Sequence, residues 1–600
     1  MDGREHRYCE GCHHVIEDMP PEVLFGIQIN ANGDVYFSMN NKQWFDKIFK
    51  NDSYGVSVDI VSLDKYACNK ETGDDFSLPK GTMLPPVYRS ELLKEAAELM
   101  PGNIFTKIGK VPPALHNKQL EGNLVILNGN YICYYTNFVN IDRSLWKLLP
   151  MGLFTDSLIN EIKTGNEGDQ DYFSYTKRVQ LEIPFSKSNV SFDNDYLRTL
   201  YDSLKLKNYR IQQIDVRAYA SVEGAEKLNE DLMKRRADAI IQALKIYQPS
   251  IYRIKIVTAE NWLEFFNDID STPFSNLKQL SKIEIKQKLT DTALSVKIEP
   301  LLAKERKVVA AMYLETKSVA STINDSSIED DFSKAVDEKD IGKARMIQKE
   351  LFDRIIDKRF PTEYITKIEV PQSKEFSSLL NDREVYKYLL KTTTEYEALD
   401  NFLSLQKLDP GNGHVNYNIC VLRFFMWQYG GDSTVPKMLL KNINDLSRQG
   451  INDVLVKRML VNYYILKSED QMNVFDYDGK DSSLEFIKNL YDTLNLNDED
   501  IFSLAKYFAF YARQDWSEEI ITPRIDKVDA SEDLIFYYLN LLFFNPSEYY
   551  SDDFEKAALN AINLNRKRFC NFFLPNDKGG ASMQLLDYDQ IKKLYCQECK

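Results

Sequence analysis

The hydrophobic period changes twice along this chain, and that change constrains its fold more than any single motif. Up to about residue 165, apolar and polar residues alternate with the period of a half-buried strand. "VLFGIQINANGDVYF" does so around an Asn-Gly-Asp turn and "GNLVILNGNYICYYTNF" around an Asn-Gly turn, so both read as hairpins. From about 176 to 318 strand and helix patterns alternate. "RVQLEIPF" is a strand, "DYLRTLYDSLKL" a helix, "RIQQIDVRAYAS" a strand, 226–246 a helix and "YRIKIVTA" a strand. A polar, helix-prone stretch from Trp262 to about Leu302 follows, and "ERKVVAAMYLE" reads as a closing strand. The Ser/Asp-rich run "SVASTINDSSIEDD" at 318–331 makes a linker, after which the pattern is helical to about 566. Since 600 residues are too many for one core, the expectation is a multidomain α+β chain. Its parts are a β-rich domain at 1–165, an α/β sandwich at 176–318 with a helical insertion at about 262–302, a helical domain at 332–580, and a C-terminal CxxC tail at 581–600.

The stretch "AYASVEGAEKLNEDLMKRRADAI" (218–240) joins a strand end to a helix through a loop containing Gly224. At about 100° per residue, Asn229, Met233, Arg236 and Ile240 fall on nearly one line. Leu228, Leu232, Ala239 and Ala243 form an adjacent apolar stripe expected to face the sheet, while Lys227, Lys234 and Asp238 face water with Arg235 at the border. Arg236 therefore lies within the packed arc, where an arginine suits bidentate contact with a carboxylate or pairs with a neighbouring acid.

This stretch resembles the core motif of the OmpA-like C-terminal domain, whose pattern is a G-[HY]-T-D-x-x-G loop followed by N-x-x-L-S-x-x-R-A. Here the loop is Ala218-Tyr219-Ala220-Ser221-Val222-Glu223-Gly224, and the helix carries Asn229, Leu232, Met233, Arg236 and Ala237 at matching spacing. The resemblance implies a peptidoglycan-binding module in which a loop acid holds the ammonium of diaminopimelate and the helix arginine its carboxylate. Arg236 matches that arginine. Ser221 stands where the family has aspartate, so the ammonium contact passes to Glu223 or is missing. The expected peptidoglycan-binding residues are thus Ser221, Glu223, Asn229 and Arg236.

In the helical part, "NDEDIFSLAKYFAFYARQDW" and "ASEDLIFYYLNLLFFNP" open alike at Glu499 and Glu532, and "KLDPGNGHVNYNICVLRFF" sets a turn before an apolar-faced helix. These resemble degenerate tetratricopeptide (TPR) hairpins, which imply a curved solenoid. "DYDGKD" at 476–481 places its glycine too early for a calcium loop.

Eight cysteines include CxxC at both ends. Cys9, Cys12, Cys596 and Cys599 could form a four-thiolate zinc site if the termini meet, and "CEGCH" with His13 matches a c-type haem attachment pattern. Disulfides, local or between Cys68 and Cys133, are the expected use in an oxidising compartment. A net charge of −15 argues against nucleic acid as the main partner. The longest apolar run, "LIFYYLNLLFF", is about half a bilayer span, so no transmembrane segment is expected. The charged start lacks a signal-peptide core, which leaves a cytosolic chain or a mature exported one open; the resemblance favours export, with the signal removed. No nucleophile elbow, Walker A or H-E-x-x-H pattern occurs, and no enzyme is expected.

The expected function is therefore a non-catalytic periplasmic protein that binds peptidoglycan and scaffolds an outer-membrane-associated assembly of the secretion or gliding type. The alternatives are a protein–protein scaffold with a non-binding OmpA-like fold, or a redox or haem protein.

Overall fold

The computed structural model describes residues 3–20, 23–70, 77–94, 102–136, 139–140, 145–159, 163–164, 172–173, 177–192, 197–198, 202, 209–247, 253–316, 327–356, 359–429, 435–511 and 513–600. A β-sheet-bearing N-terminal region is followed by a helical C-terminal region. The chain forms two compact units, one made of Met1–Arg143 with Ile535–Lys600 and the other of Ser144–Leu534. The helix expected in "DYLRTLYDSLKL" falls mostly outside the described residues.

In the first unit, strands Phe25–Ile29 and Asp34–Met39 form the Asn-Gly-Asp hairpin, extended by Ile104–Lys110. Gly33 supplies a positive φ of 76° at its turn. The second hairpin, Leu120–Asn128 with Tyr131–Thr136, pairs with Tyr54–Ser62 in a further sheet. The last residues of the chain pack onto this sheet rather than trailing from it. Glu121 accepts hydrogen bonds from Ser582 Oγ, the Met583 amide and Gln584 Nε2, and Asp587 pairs with Lys65 and Lys80. A Cys68–Cys596 disulfide closes the arrangement across 528 residues of chain.

In the second unit, one sheet has the strand order Lys177–Pro184, Lys307–Thr316, Tyr209–Ala220, Arg253–Glu260. The last two strands are parallel and joined by helix Glu226–Tyr247; the other pairings are antiparallel. Val216, Ala218 and Ala220 face the helix, whose buried side is Met233, Ala237, Ile240, Ile241 and Leu244. This corrects the expected stripe, because Leu228 is 72% exposed and borders an open cleft together with Leu232. The packed arc is thus rotated toward the line of Met233 and Ile240. On the other sheet face, Tyr219 Oη and Arg217 donate to the Val528 carbonyl, which docks the sheet on the helical part. Helices Trp262–Ile269, Lys282–Lys288 and Thr292–Glu305 fill the expected insertion.

The helical part includes helices Ser377–Leu389, Gly413–Gln428, Asp453–Asn473 and Asp498–Phe510. Across all four lies the chain's own segment 145–159. Asn462 bonds both the amide and the carbonyl of Leu149, at 2.7 and 2.8 Å. Asn418 does the same for Phe154, at 2.7 and 2.8 Å, and Asn381 adds a second donor to the Phe154 carbonyl. Ser503 bonds the amide and carbonyl of Lys147, and Tyr417 Oη donates to the Met151 carbonyl. Trp146 donates to Glu469 and packs against Tyr507 and Phe510, while Phe154 stacks on His414 with ring centroids 4.6 Å apart. Asp476, in the stretch that resembled a poor calcium loop, caps the next helix by accepting from the Gly479 amide.

Candidate functional site

The loop after strand Tyr209–Ala220 turns back through Gly224, at φ 83°. Asn229 on the following helix pins it, donating to the Ser221 and Glu223 carbonyls and to Glu260. Above the loop opens a cleft of about 690 Å³, walled on one side by the first turns of the helix and on the other by Lys286, Leu289 and Val296 of the insertion.

The two charged partners expected for a zwitterionic ligand are both engaged inside the protein. Arg236 is fully buried. Its Nε, Nη1 and Nη2 donate to the carbonyls of Asn189, Tyr219 and Ser186, at 3.0, 3.3 and 2.9 Å. Its Cζ lies 5.0 Å from the Phe185 ring centroid. Burial, with Arg306 nearby, lowers its pKa to about 10, so it stays charged at neutral pH. Arg235 turns to solvent and pairs with Asp231 one turn away.

Glu223 does not face an empty subsite either. Arg306, only 3% exposed, donates Nη2 to Glu223 at 2.6 Å, Nε to Ser221 Oγ at 3.1 Å, and both terminal nitrogens to Glu299 at 2.6 and 2.8 Å. Lys187 takes the other Glu223 oxygen at 2.9 Å. Burial pulls the Arg306 pKa down, but the bonds from Glu299 and Glu223 outweigh it and leave it raised. A ligand ammonium at Glu223 would therefore have to share or displace cations that already hold both of its oxygens. Arg306 was not singled out in the sequence. Its only signal there is the basic pair Arg306–Lys307 opening an otherwise apolar strand.

Beneath the loop, Glu305 is fully buried and accepts from the Val222 amide at 3.0 Å, while its second oxygen has no partner among the described residues. Burial pushes its pKa well above the ordinary value, reinforced by Glu264 and Asp268 and opposed by the Val222 bond and Arg306.

The cysteines pair differently from the expectation. Cys9 joins Cys133, Cys68 joins Cys596 and Cys570 joins Cys599. The Cys68–Cys133 pairing is thereby corrected, because helix Gly3–Glu17 lies against strand Tyr131–Thr136 and brings Cys9, not Cys68, to Cys133. Cys9, Cys12, Cys596 and Cys599 are not brought together as a four-thiolate set: the C-terminal CxxC is split between two disulfides, and only Cys9 of the N-terminal one is bridged. Cys12 remains a buried thiol whose pKa burial pushes up to about 11. Among the described residues, no group of three or more His, Cys, Asp or Glu is placed to hold a metal ion, and no helix is long and apolar enough to cross a membrane. Three disulfides are compatible with an extracytoplasmic protein.

No family model matches the chain, and neither a curated protein nor a solved structure matches it.

Proposed function

We propose that this chain is a non-catalytic scaffold of a bacterial cell envelope, exported to the periplasm and associated with the outer membrane. An OmpA-like module at about 176–318 and a TPR-like helical array hold protein partners of a secretion- or gliding-type assembly. The observation that favours protein holding over wall binding is the seat of Arg306 against Ser221 and Glu223. It sets a buried cation against the loop acid that a diaminopimelate ammonium would use, while three of the five N–H groups of Arg236 go to backbone carbonyls. The disulfides support the oxidising compartment.

Peptidoglycan binding is the second reading. In its favour is the open cleft of about 690 Å³ beside the loop, large enough for a stem peptide. Co-sedimentation of the oxidised chain with purified sacculi separates the two. The scaffold reading expects the chain in the supernatant at every salt concentration. Sedimentation that free diaminopimelate competes away would overturn it in favour of wall binding.

A further inference from the structure

Segment 145–159 buries Leu149, Met151 and Leu153, yet its main chain is held as well. Were apolar packing the whole of the hold, a row of buried polar side chains would be a liability. Here the four helices that cross the segment each present a buried Asn or Ser to its main chain: Asn381, Asn418, Asn462 and Ser503. Two of these asparagines read amide and carbonyl of one residue together, which fits any extended strand whatever its sequence. Specificity comes from five anchors, Trp146, Leu149, Met151, Leu153 and Phe154, each of which enters particular surroundings. The segment also runs opposite to the array, Lys147 meeting Ser503 at one end and Phe154 meeting Asn381 at the other.

We propose that this row of helices is a binding groove for an extended segment of a partner protein, and that residues 145–159 are its tethered stand-in. The partner segment is strand-like, with an aromatic residue first, apolar side chains three, five and seven positions on, and a second aromatic eight positions on. Without an extended chain in place, Asn462 would lose both of its main-chain partners and Asn418 would keep only Asn381, which favours an occupied groove: the stand-in leaves as the partner enters. The tether sets the threshold. A tethered occupant competes at an effective concentration on the order of millimolar, so a free segment of micromolar intrinsic affinity appears weaker by roughly 10²–10³-fold. This inference deepens the scaffold reading and rests on it, yet peptide binding and sacculus sedimentation can fail independently.

The test uses the full-length oxidised chain and a fluorescent synthetic peptide of residues 144–159 as probe. In the W146A/F154A chain the stand-in is weakened, and the probe is expected to bind at least 10²-fold more tightly than to the wild-type chain. Adding Asn462→Ala is expected to reduce that binding at least tenfold. A W146A/F154A chain that melts cooperatively yet takes up no probe overturns the proposal, as does probe binding indifferent to Asn462→Ala. If the double variant does not fold, hydrogen exchange on the wild-type chain decides. Exchange of the Leu149 and Phe154 amides ahead of helix Asp453–Asn473 supports a removable segment, and exchange only through global unfolding overturns it. A wild-type dimer held by exchanged 145–159 segments also overturns the partner assignment, making a second copy the occupant.

Discussion

Ser221 Oγ accepts a hydrogen bond from Arg306 Nε at 3.1 Å, and the contact accounts for a serine at a position where the resembling motif carries an acid. The other terminal groups of Arg306 already serve Glu223 and Glu299. A hydroxyl satisfies the remaining Nε donor without adding a third carboxylate beside a buried guanidinium. The loop's geometry is kept while its charge is balanced from within. The glycine, the pinning asparagine and the buried arginine thus serve the fold whether or not a ligand binds.

Arg306→Met removes the cation and leaves Glu223 facing Glu299 above buried Glu305. The expected loss is about 2–4 kcal/mol, below the full cost of breaking a buried pair because Glu299 is partly solvated. Urea unfolding followed by fluorescence reads it. Arg306→Lys is expected to fall between the two, since an ammonium keeps the charge but not the fork that serves both acids and Ser221.

Glu305 sets a pH dependence with a definite sign. Its folded pKa is raised well above the ordinary 4.5, chiefly by burial. Below about pH 4.5 it is protonated folded or unfolded and costs nothing. As pH rises toward the folded value the unfolded chain releases its proton first, so the stability this group contributes at low pH is lost, with a slope of at most about 1.4 kcal/mol per pH unit. Glu305→Gln is expected to match wild type near pH 4 and to be the more stable chain at pH 8. Melting both chains over that range checks it, and a gap that narrows with rising pH refutes the assignment.

The parts of this structure that were legible in the sequence are those set by neighbours along the chain. The Asn-Gly turns fixed two hairpins, and the 3.6-residue period separated buried Arg236 from solvated Arg235. The same period misplaced the apolar stripe by one row. Leu228 and Leu232 sit beside the cleft rather than over the sheet, and periodicity cannot tell which of two adjacent stripes finds a partner. What was not legible depends on residues far apart in the chain. Ser221 and Arg306 are separated by 85 residues and Leu149 and Asn462 by 313, and no local pattern announces either. Segment 145–159 lies within the stretch whose pattern reads as β-rich, although its partners are four helices of the C-terminal region.

The Cys68–Cys596 bridge ties the end of the chain to the sheets of the first unit, together with the polar bonds around Glu121 and Asp587. Replacing both cysteines by serine is expected to destabilise that unit by about 2–5 kcal/mol, the usual range for losing a native disulfide. Limited proteolysis under native conditions should then release fragments from the C-terminal residues, while the bridged chain stays linked on a non-reducing gel. The polar bonds predict that the double variant still folds in the cold, so a protein that is unfolded at 10 °C would show that the covalent link, not the network, holds this end.

Asn418 makes the sharpest test of how segment 145–159 is read. Its side chain meets both main-chain groups of Phe154 and also donates to Asn381 Oδ1 at 2.9 Å. Asn418→Leu keeps the branched heavy-atom shape and removes every polar contact, leaving the Phe154 amide without its acceptor and the Asn381 oxygen without its donor. Each buried group so stranded costs about 1–3 kcal/mol, so the expected loss is about 2–5 kcal/mol if the segment stays in place. A smaller loss has a specific meaning: the segment has swung out and its main chain has found water, which hydrogen exchange at the Phe154 amide reports directly. Asn418→Asp separates the two effects, since a carboxylate still accepts from the amide but repels the carbonyl it formerly donated to. If the contact is main-chain recognition, Asn418→Asp lies closer to Asn418→Leu than to wild type in melting temperature; a wild-type value for Asn418→Asp would assign the hold on the segment to the Phe154 ring stacked on His414 instead.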